Sequence, residues 1–527
     1  MHKVRFQPSG RQVEIAAGDT ILAAADRAGV LIVAPCGGRG VCRKCLVTID
    51  GHQVLACLHQ PASDAVVSVP HVHPAGDASE RKALDYIHKA LHDERRRDDK
   101  LLAIDLGTTG ISVAWIDPAT GDICYGKARN RQAIHGADVL NRIIMTEEEG
   151  DAGRAAMQRL ARQSIGDAIA QLGNLPAATA VVISANPTML YLLLGLDASP
   201  LRKTPSPGLD LRFSPRPAHD LLGDLAQIVP DAGVHLLPGV ANYLGGDVVA
   251  GVALARRFHP RERKFLFIDA GTNGEIVLAI DDAILGIATS AGPAFEGGEV
   301  CAGVPAMPGA IETVCIKPPA FWGDYGTIGD LPPTGICGSG IIELVAELGR
   351  AGALERNGRI KREIVSEAFT EDAYGRVYVL APSTSTASGR AITISDADLG
   401  AIINTKAAIY AGCRKLISVA GINFTDLDRI FIAGDFGYHI NITDAISIGM
   451  LPDIDPGKYV FMGNASLAGA AISGIIPEFA LEIEKLAQQT TFLDLSEDQE
   501  FMNEFIAASF LPHTNTALFP HFLQESS

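Results

Sequence analysis

Residues 101–117 read LLAIDLGTTGISVAWID, and residues 265–281 read FLFIDAGTNGEIVLAID. Laid side by side without a gap, they are identical at 9 of 17 positions, around a shared Ile-Asp-x-Gly-Thr-x-Gly. Each is an apolar run, a glycine-rich turn and a second apolar run, which predicts a β-hairpin. Two such hairpins about 160 residues apart predict two lobes of one design.

The turns have the chemistry of a phosphate site. Gly107 and Gly110 in the first, and Gly271 and Gly274 in the second, let the backbone turn tightly and approach an anion. Backbone N–H groups of these turns, Asn273 included, and the hydroxyls of Thr108, Thr109 and Thr272 can bond phosphate oxygens. Asp105 and Asp269, at the strand ends, can hold Mg²⁺ directly or through its waters. Glu275 follows the second turn, either to orient a water or Mg²⁺, or simply as an exposed strand carboxylate. One Asp-x-Gly-Thr is an ordinary hairpin as readily as a phosphate clamp; it is the repetition that favours the clamp. Further along, RIFIAGDFGY (429–438) is a strand leading into Gly434 and Gly437. Gly338, Ser339 and Gly340 open a helical run and would aim N–H groups at a phosphate, unless they merely start the helix. Glu296 and Glu299 are candidates for a contact between lobes or with the cofactor protein, and Asp435 and His439 for one with nucleotide or partner. No G-x-x-x-x-G-K-[ST] occurs, and no strand leads into G-x-G-x-x-G.

Four of the nine cysteines crowd into 22 residues as C-x5-C-x2-C-x11-C: Cys36, Cys42, Cys45 and Cys57. Three lie on one loop, PCGGRGVCRKC, whose Gly37, Gly38 and Gly40 let it wrap an inorganic cluster and aim N–H groups at sulfur. A four-cysteine zinc site is the alternative, but such sites usually pair two separated C-x2-C knuckles, and here there is one. The other five cysteines are scattered singly, as small buried hydrophobes are.

A formal charge of −17 argues against nucleic acid and against an anionic membrane surface. Neither a secretion signal nor a run of about 18 apolar residues is present, so the expectation is a soluble cytoplasmic protein. Short β-like runs fill residues 1–70, with a helix over 20–28 capped by Asp19 and a closing strand over 66–69. Residues 79–97 read as an amphipathic helix with Leu84, Ile87 and Leu91 on one face. Its charge and length suit a solvated strut, hence a mobile tether. The expected division is 1–72, a linker helix 73–99, a first lobe 100–255 and a second lobe 256–527. The tail from about Pro512 has weak patterning and is expected to extend onto a partner or another subunit.

The two hairpins and the 429–438 strand resemble, in that order, the two phosphate motifs and the adenosine motif of the acetate and sugar kinase, Hsp70 and actin superfamily. The cysteine spacing resembles a 2Fe–2S ferredoxin. Together, with ISANPTMLYLLLG (183–195), PGVANYLGGD (238–247), SAGPAFEGG (290–298), GICGSGIIELVAEL (335–348) and AGDFGYHINITDAISIGMLP (433–452), they resemble the reductive activators of corrinoid enzymes. The resemblance implies an α+β ferredoxin-like (β-grasp) domain followed by a two-lobed α/β ATPase. It implies ATP, Mg²⁺ and a 2Fe–2S cluster on the four cysteines. The implied activity is one-electron reduction of a partner's cobalt from Co(II) to Co(I), the nucleophile of methyl transfer. The implied partners are a corrinoid protein of a methyltransferase or O-demethylase system and a low-potential electron donor; a homodimer is one arrangement it allows. Asn186 is implied as a residue positioning water or phosphate, although the family's preceding glycine is Ala185 here. The other readings are an activator of a radical or dehydratase enzyme, a small-molecule kinase with a ferredoxin appendage, and a nucleotide sensor without turnover.

Overall fold

The computed structural model describes residues 2–520, apart from 8–9, 17, 29, 31, 33, 35–37, 41–44, 50, 70–77, 137, 174, 204–208, 230–231, 272, 373–374 and 435–439, and the side chains of 226–228. Cys36, Cys42, Thr272, Gly437, Asp435 and His439 therefore lie outside the described residues.

The N-terminal segment alternates with period two: in His2–Gln7 only Val4 and Phe6 are buried, and Gln12–Ile15 turns Ile15 inward. Its five-stranded sheet runs Gln12–Ile15, His2–Gln7, Ala65–Ser68, Leu46–Ile49, His52–Leu55, with the first and last strands in sequence paired parallel. Helix Ile21–Arg27 crosses it and buries Ile21, Leu22, Ala24 and Ala25. Thr20, not Asp19, caps this helix, its Oγ accepting the Ala23 N–H at 3.2 Å. Asp19 lies one residue too early to reach the first turn; it accepts from Ala16 N at 2.8 Å and pairs with Arg27 at 2.5 Å.

Each repeat hairpin lies inside a six-stranded sheet. The first sheet runs Arg216–Pro217, Gly233–Leu236, Ala180–Ala185, Leu101–Leu106, Gly110–Asp117, Asp122–Arg129. The second runs Tyr459–Gly463, Arg429–Ala433, Lys264–Ala270, Gly274–Ile280, Ala283–Thr289, Thr490–Phe492. In both, the hairpin continues into a third antiparallel strand on one side and meets a parallel strand on the other. Both faces of these strands are covered, which is why they read as continuous apolar runs.

Helices Gly246–Phe258 and Ala465–Ile475 form the layer between the sheets, in one core with Leu101, Ala103 and Ile116 of the first and Phe265, Phe267 and Val277 of the second. Small residues let these helices touch: a Cβ on Gly469 would stand 2.6 Å from that of Ala250. The outer face of the first sheet is covered by Val139–Ile169 and Pro187–Leu194, and that of the second by Gly338–Arg350 and Asp396–Ala420. Among the described residues, no helix is long and apolar enough to cross a membrane.

Two expectations are corrected. The linker helix spans Ala78–Leu91 and is docked, not a free strut. Ala83, Tyr86, Ile87 and Ala90 are buried in the core between the sheets, and the Tyr86 hydroxyl meets Met462 Sδ at 3.3 Å. The predicted stripe of Leu84, Ile87 and Leu91 does face the core, but Ala83, Tyr86 and Ala90 widen it to that of a helix with a core to cover. The tail, too, folds back onto its own lobe as far as residue 520. Phe519 and His513 are buried beside Tyr410, and the buried Lys406 ammonium donates to the carbonyls of Phe510 (2.5 Å) and Pro512 (2.7 Å).

Candidate functional site

The parallel strand beside each hairpin ends where the hairpin turns, so both sheets point their loops into one cleft between the lobes. Asp105, Gly107, Thr108, Thr109, Gly110 and Asn186 line it from the first lobe. Asp269, Gly271, Asn273, Glu275, Gly338, Ser339 and Gly434 line it from the second. Gly274 and Gly340 stand just behind this wall. Gly274 faces the Thr289 hydroxyl, and Gly340 lies against the Ile311 carbonyl.

Asp105 is held from across the cleft. Its Oδ1 accepts from the Ser466 hydroxyl at 2.7 Å and its Oδ2 from the Asn464 amide at 2.9 Å. Asn464 also caps helix Ala465–Ile475, its Oδ1 accepting from Leu467 N at 2.8 Å. Thr109 donates to Glu296 Oε2 at 2.7 Å, so the expected contact between the lobes is present at Glu296. The Thr108 carbonyl accepts at 2.7 Å from Arg142, a wholly buried guanidinium that also donates to the Gly136 carbonyl and Gln132. Desolvation pulls Arg142 down to about 10.

Asn186 is fully employed. Its Oδ1 caps helix Pro187–Leu194 through Met189 N (2.9 Å), and its amide donates to Thr108 Oγ at 3.0 Å. It therefore orients the first turn. Gly434 has φ +91°, and a Cβ there would stand 2.9 Å from both the Ala270 carbonyl and Asp269 Oδ1, so only glycine lets the two strand ends close on each other.

Besides Glu296, four carboxylates line the cleft: Asp105, Asp247, Asp269 and Glu275. Asp269 and Glu275 are register partners across the second hairpin. Asp247, in the first turn of Gly246–Phe258, is half-buried, and its carboxyl is pushed up to about 7, chiefly by desolvation and also by Asp105. Glu275 is raised well above its usual value by burial first, then by Asp269 and Asp247. Asp247 and Lys127, which also lines the cleft, escape the sequence reading. Asp247 closes the Gly-Gly-Asp of residues 245–247, a glycine-flanked carboxylate at a helix start, and that was the available signal. Lys127 gives none: it sits mid-strand with no motif around it. Among the described residues, no group of three or more His, Cys, Asp or Glu is arranged to hold a metal.

In the N-terminal domain Cys45 and Cys57 are buried with their sulfurs 3.2 Å apart. That is well beyond the ~2.05 Å of a disulfide and suits neighbouring thiolates on one metal. Gly38 and Gly40, at φ +81° and +77°, bend the loop around them. The described part of the site fits a cysteine-held cluster.

Comparisons with known proteins agree with this layout. Residues 1–70 match a 2Fe-2S iron-sulfur cluster binding domain, 101–260 the RACo middle region, and 263–523 the C-terminal domain of RACo, the ASKHA domain. The chain is 29% identical over 424 residues to a corrinoid activation enzyme, RamQ, of Eubacterium limosum, covering 77% of this chain and 69% of that protein. It is 24% identical over 399 residues to a [Co(II) methylated amine-specific corrinoid protein] reductase of Methanosarcina barkeri, covering 70% and 68%. A solved reductive activator for corrinoid, iron-sulfur protein superposes over 99% of this chain and 100% of its own, at 32% identity and a TM-score of 0.73. From its cysteine-bearing domain to its second lobe, the chain belongs to the family of reductive activators of corrinoid proteins.

Proposed function

We propose that this chain uses ATP to drive the one-electron reduction of a corrinoid protein's cobalt from Co(II) to Co(I). The observation that carries the reading is the union, in one chain, of a buried cysteine pair in a 2Fe–2S-type domain and a carboxylate-ringed cleft between two phosphate hairpins. A 2Fe–2S cluster on Cys36, Cys42, Cys45 and Cys57 would supply one-electron transfer. Asp105 and Asp269 would hold Mg²⁺ against the phosphates, and the turns at Gly107–Gly110 and Gly271–Gly274 would bind phosphate oxygens through N–H groups. Gly338 and Ser339, at the start of helix Gly338–Arg350, would offer N–H groups to a phosphate, with Gly340 packed behind them, and Gly434 would seat the nucleoside end. Asp247, raised toward neutrality, is the carboxylate best suited to take a proton from the attacking water, with Glu275 behind it. The names of the relatives support a corrinoid protein as partner. A methyltransferase or O-demethylase system in the cytoplasm, with a low-potential electron donor, is the setting we assign.

Reduction of Co(II) is uphill for ordinary donors, so ATP must act through a change of state. A ligand shifts an equilibrium only by its differential affinity for the two states, and lobes closing on nucleotide provide two such states. The test mixes purified chain with a corrinoid protein poised as Co(II) and reads the Co(I) absorbance. Co(I) should form only when reductant and Mg-ATP are both present, and the corrinoid protein should raise the ATPase rate. Equal reduction without ATP, or phosphorylation of a small molecule with no cobalt response, would remove the assignment.

A further inference from the structure

The linker helix begins at the nucleotide cleft. Its first turn, residues 78–80, reaches both lobes. Glu80 and Lys127 form an ion pair at 2.5 Å, with side chains only 5% and 13% exposed. Lys127 belongs to the first lobe's strand Asp122–Arg129 and lines the cleft, and its Cε lies 3.8 Å from where a Cβ on Gly110 would stand. The ammonium thus serves Glu80 while standing next to the first phosphate turn. One residue earlier, the Ser79 carbonyl accepts from Asn464 N at 3.2 Å. Asn464 is the residue whose side chain holds Asp105. Gly463 packs so closely over that carbonyl that a Cβ there would overlap it. Two separate contacts therefore join this turn to the two groups, Lys127 and Asp105, that a Mg-nucleotide would engage.

We infer that the first turn of Ala78–Leu91 is a latch worked by nucleotide: phosphate in the cleft draws Lys127 away from Glu80, and the turn that carries the iron–sulfur domain lets go. The physics is that of a shared cation. A phosphate oxygen is a strong competitor for an ammonium beside a ring of N–H donors. Once Lys127 turns to it, the Glu80 carboxylate loses the charge of that ammonium at a site where it is only 5% exposed, which favours a shift of the turn toward water. Asp105, drawn to Mg²⁺, loosens Asn464 and with it the bond to Ser79. The rest of the helix is held separately, by Tyr86, Ile87 and Ala90, so the release is local. The coupling runs both ways, since any force on the N-terminal domain that frees Glu80 also frees Lys127 for nucleotide.

This rests on the cleft being the nucleotide site, and the experiment separates the two. Binding of a non-hydrolysable ATP analogue with Mg²⁺ to the full-length protein is measured by calorimetry, and hydrogen exchange is followed with and without it. The analogue should bind, speed exchange in residues 78–84 and leave 86–91 protected. Glu80→Gln should bind the analogue at least about fivefold more tightly, the lower end for coupled sites, with exchange at 78–84 already faster and responding less to nucleotide than in the parent. Binding with unchanged exchange at 78–84 in the parent protein overturns the latch and leaves the cleft standing. Absence of binding overturns the cleft reading itself. The parent measurement decides even where Glu80→Gln folds poorly.

Discussion

Ser466 donates a 2.7 Å hydrogen bond to Asp105, a residue 361 positions earlier in the chain and on the opposite lobe. The carboxylate that the sequence offers as a metal holder is thus also the point where the second lobe grips the first. Closing the lobes and placing the charge are one event, because Asn464 and Ser466 both open the helix that lies between the sheets.

Asp105→Ala and Asp269→Ala should therefore each lower ATP hydrolysis by about 10²-fold or more, the scale of losing a charge that positions phosphate. Ser466→Ala should cost less, since Asn464 still holds the other oxygen. Steady-state phosphate release checks all three, with the visible spectrum of the N-terminal domain unchanged. Parental rates in both aspartate variants would remove the cleft from the chemistry.

Asp247 links activity to stability with opposite signs. Its carboxyl titrates near 3.8 in the unfolded chain and at about 7 in the fold. Below 3.8 both states are protonated and the group is neutral to stability. As pH rises from there to 7 the unfolded chain ionises first, so stability is lost across that window and stays lost above it. Asp247→Asn removes the penalty. At pH 8 it should raise the melting temperature, by about 2–4 °C for each kcal/mol recovered. ATPase should fall by about 10²-fold or more, as for loss of a general base. The parent rate should rise with pH through about 7, and that limb should vanish in the variant. A variant that is both less stable and fully active would reverse the assignment.

The hairpins and their turns were legible because each is local: a glycine at a turn and an aspartate at a strand end are adjacent in sequence and in space. Asp247 and Lys127 were not, because what singles them out is a neighbour distant in sequence, Asp105 for the one and Glu80 for the other. Asn186 shows the intermediate case. The sequence singles it out through the resemblance, but its work, capping Pro187–Leu194 while holding Thr108, exists only after folding. The docked linker helix was missed for a related reason. Charged residues on its outer face dominate the reading, and the alanines that let it approach the 465–475 helix are silent.

That docking predicts protease behaviour. Arg81, Lys82 and Lys89 are tryptic positions within Ala78–Leu91, and a helix embedded in the shared core opens only as far as that core does. Cleavage after Lys89 should track global unfolding of the lobes. Tyr86→Ala should destabilise the protein by about 3 kcal/mol or more, as for a buried aromatic cut back to alanine, and should make Lys89 an early cut. Rapid cleavage after Lys89 in the parent protein would restore the free tether.

The cysteine site supplies the last prediction. Cys45 and Cys57 sit buried, 3.2 Å apart at sulfur, within a domain whose own core is Val4, Phe6, Ile15, Val47 and Val67. As thiols at that distance they share one weak S–H···S hydrogen bond. As thiolates they would repel unless a metal takes both, so the pair is placed to serve as two ligands of one metal. Protein expressed and purified anaerobically should be red-brown and carry about two iron and two sulfide per chain, the content of a 2Fe–2S centre. Cys57→Ser should lose the colour and, with it, Co(II) reduction. The lobes should keep their own melting transition, since the cores of the lobes contain no residue of this domain. Stoichiometric zinc with no sulfide would make the site structural, and the electron would then need another path to cobalt.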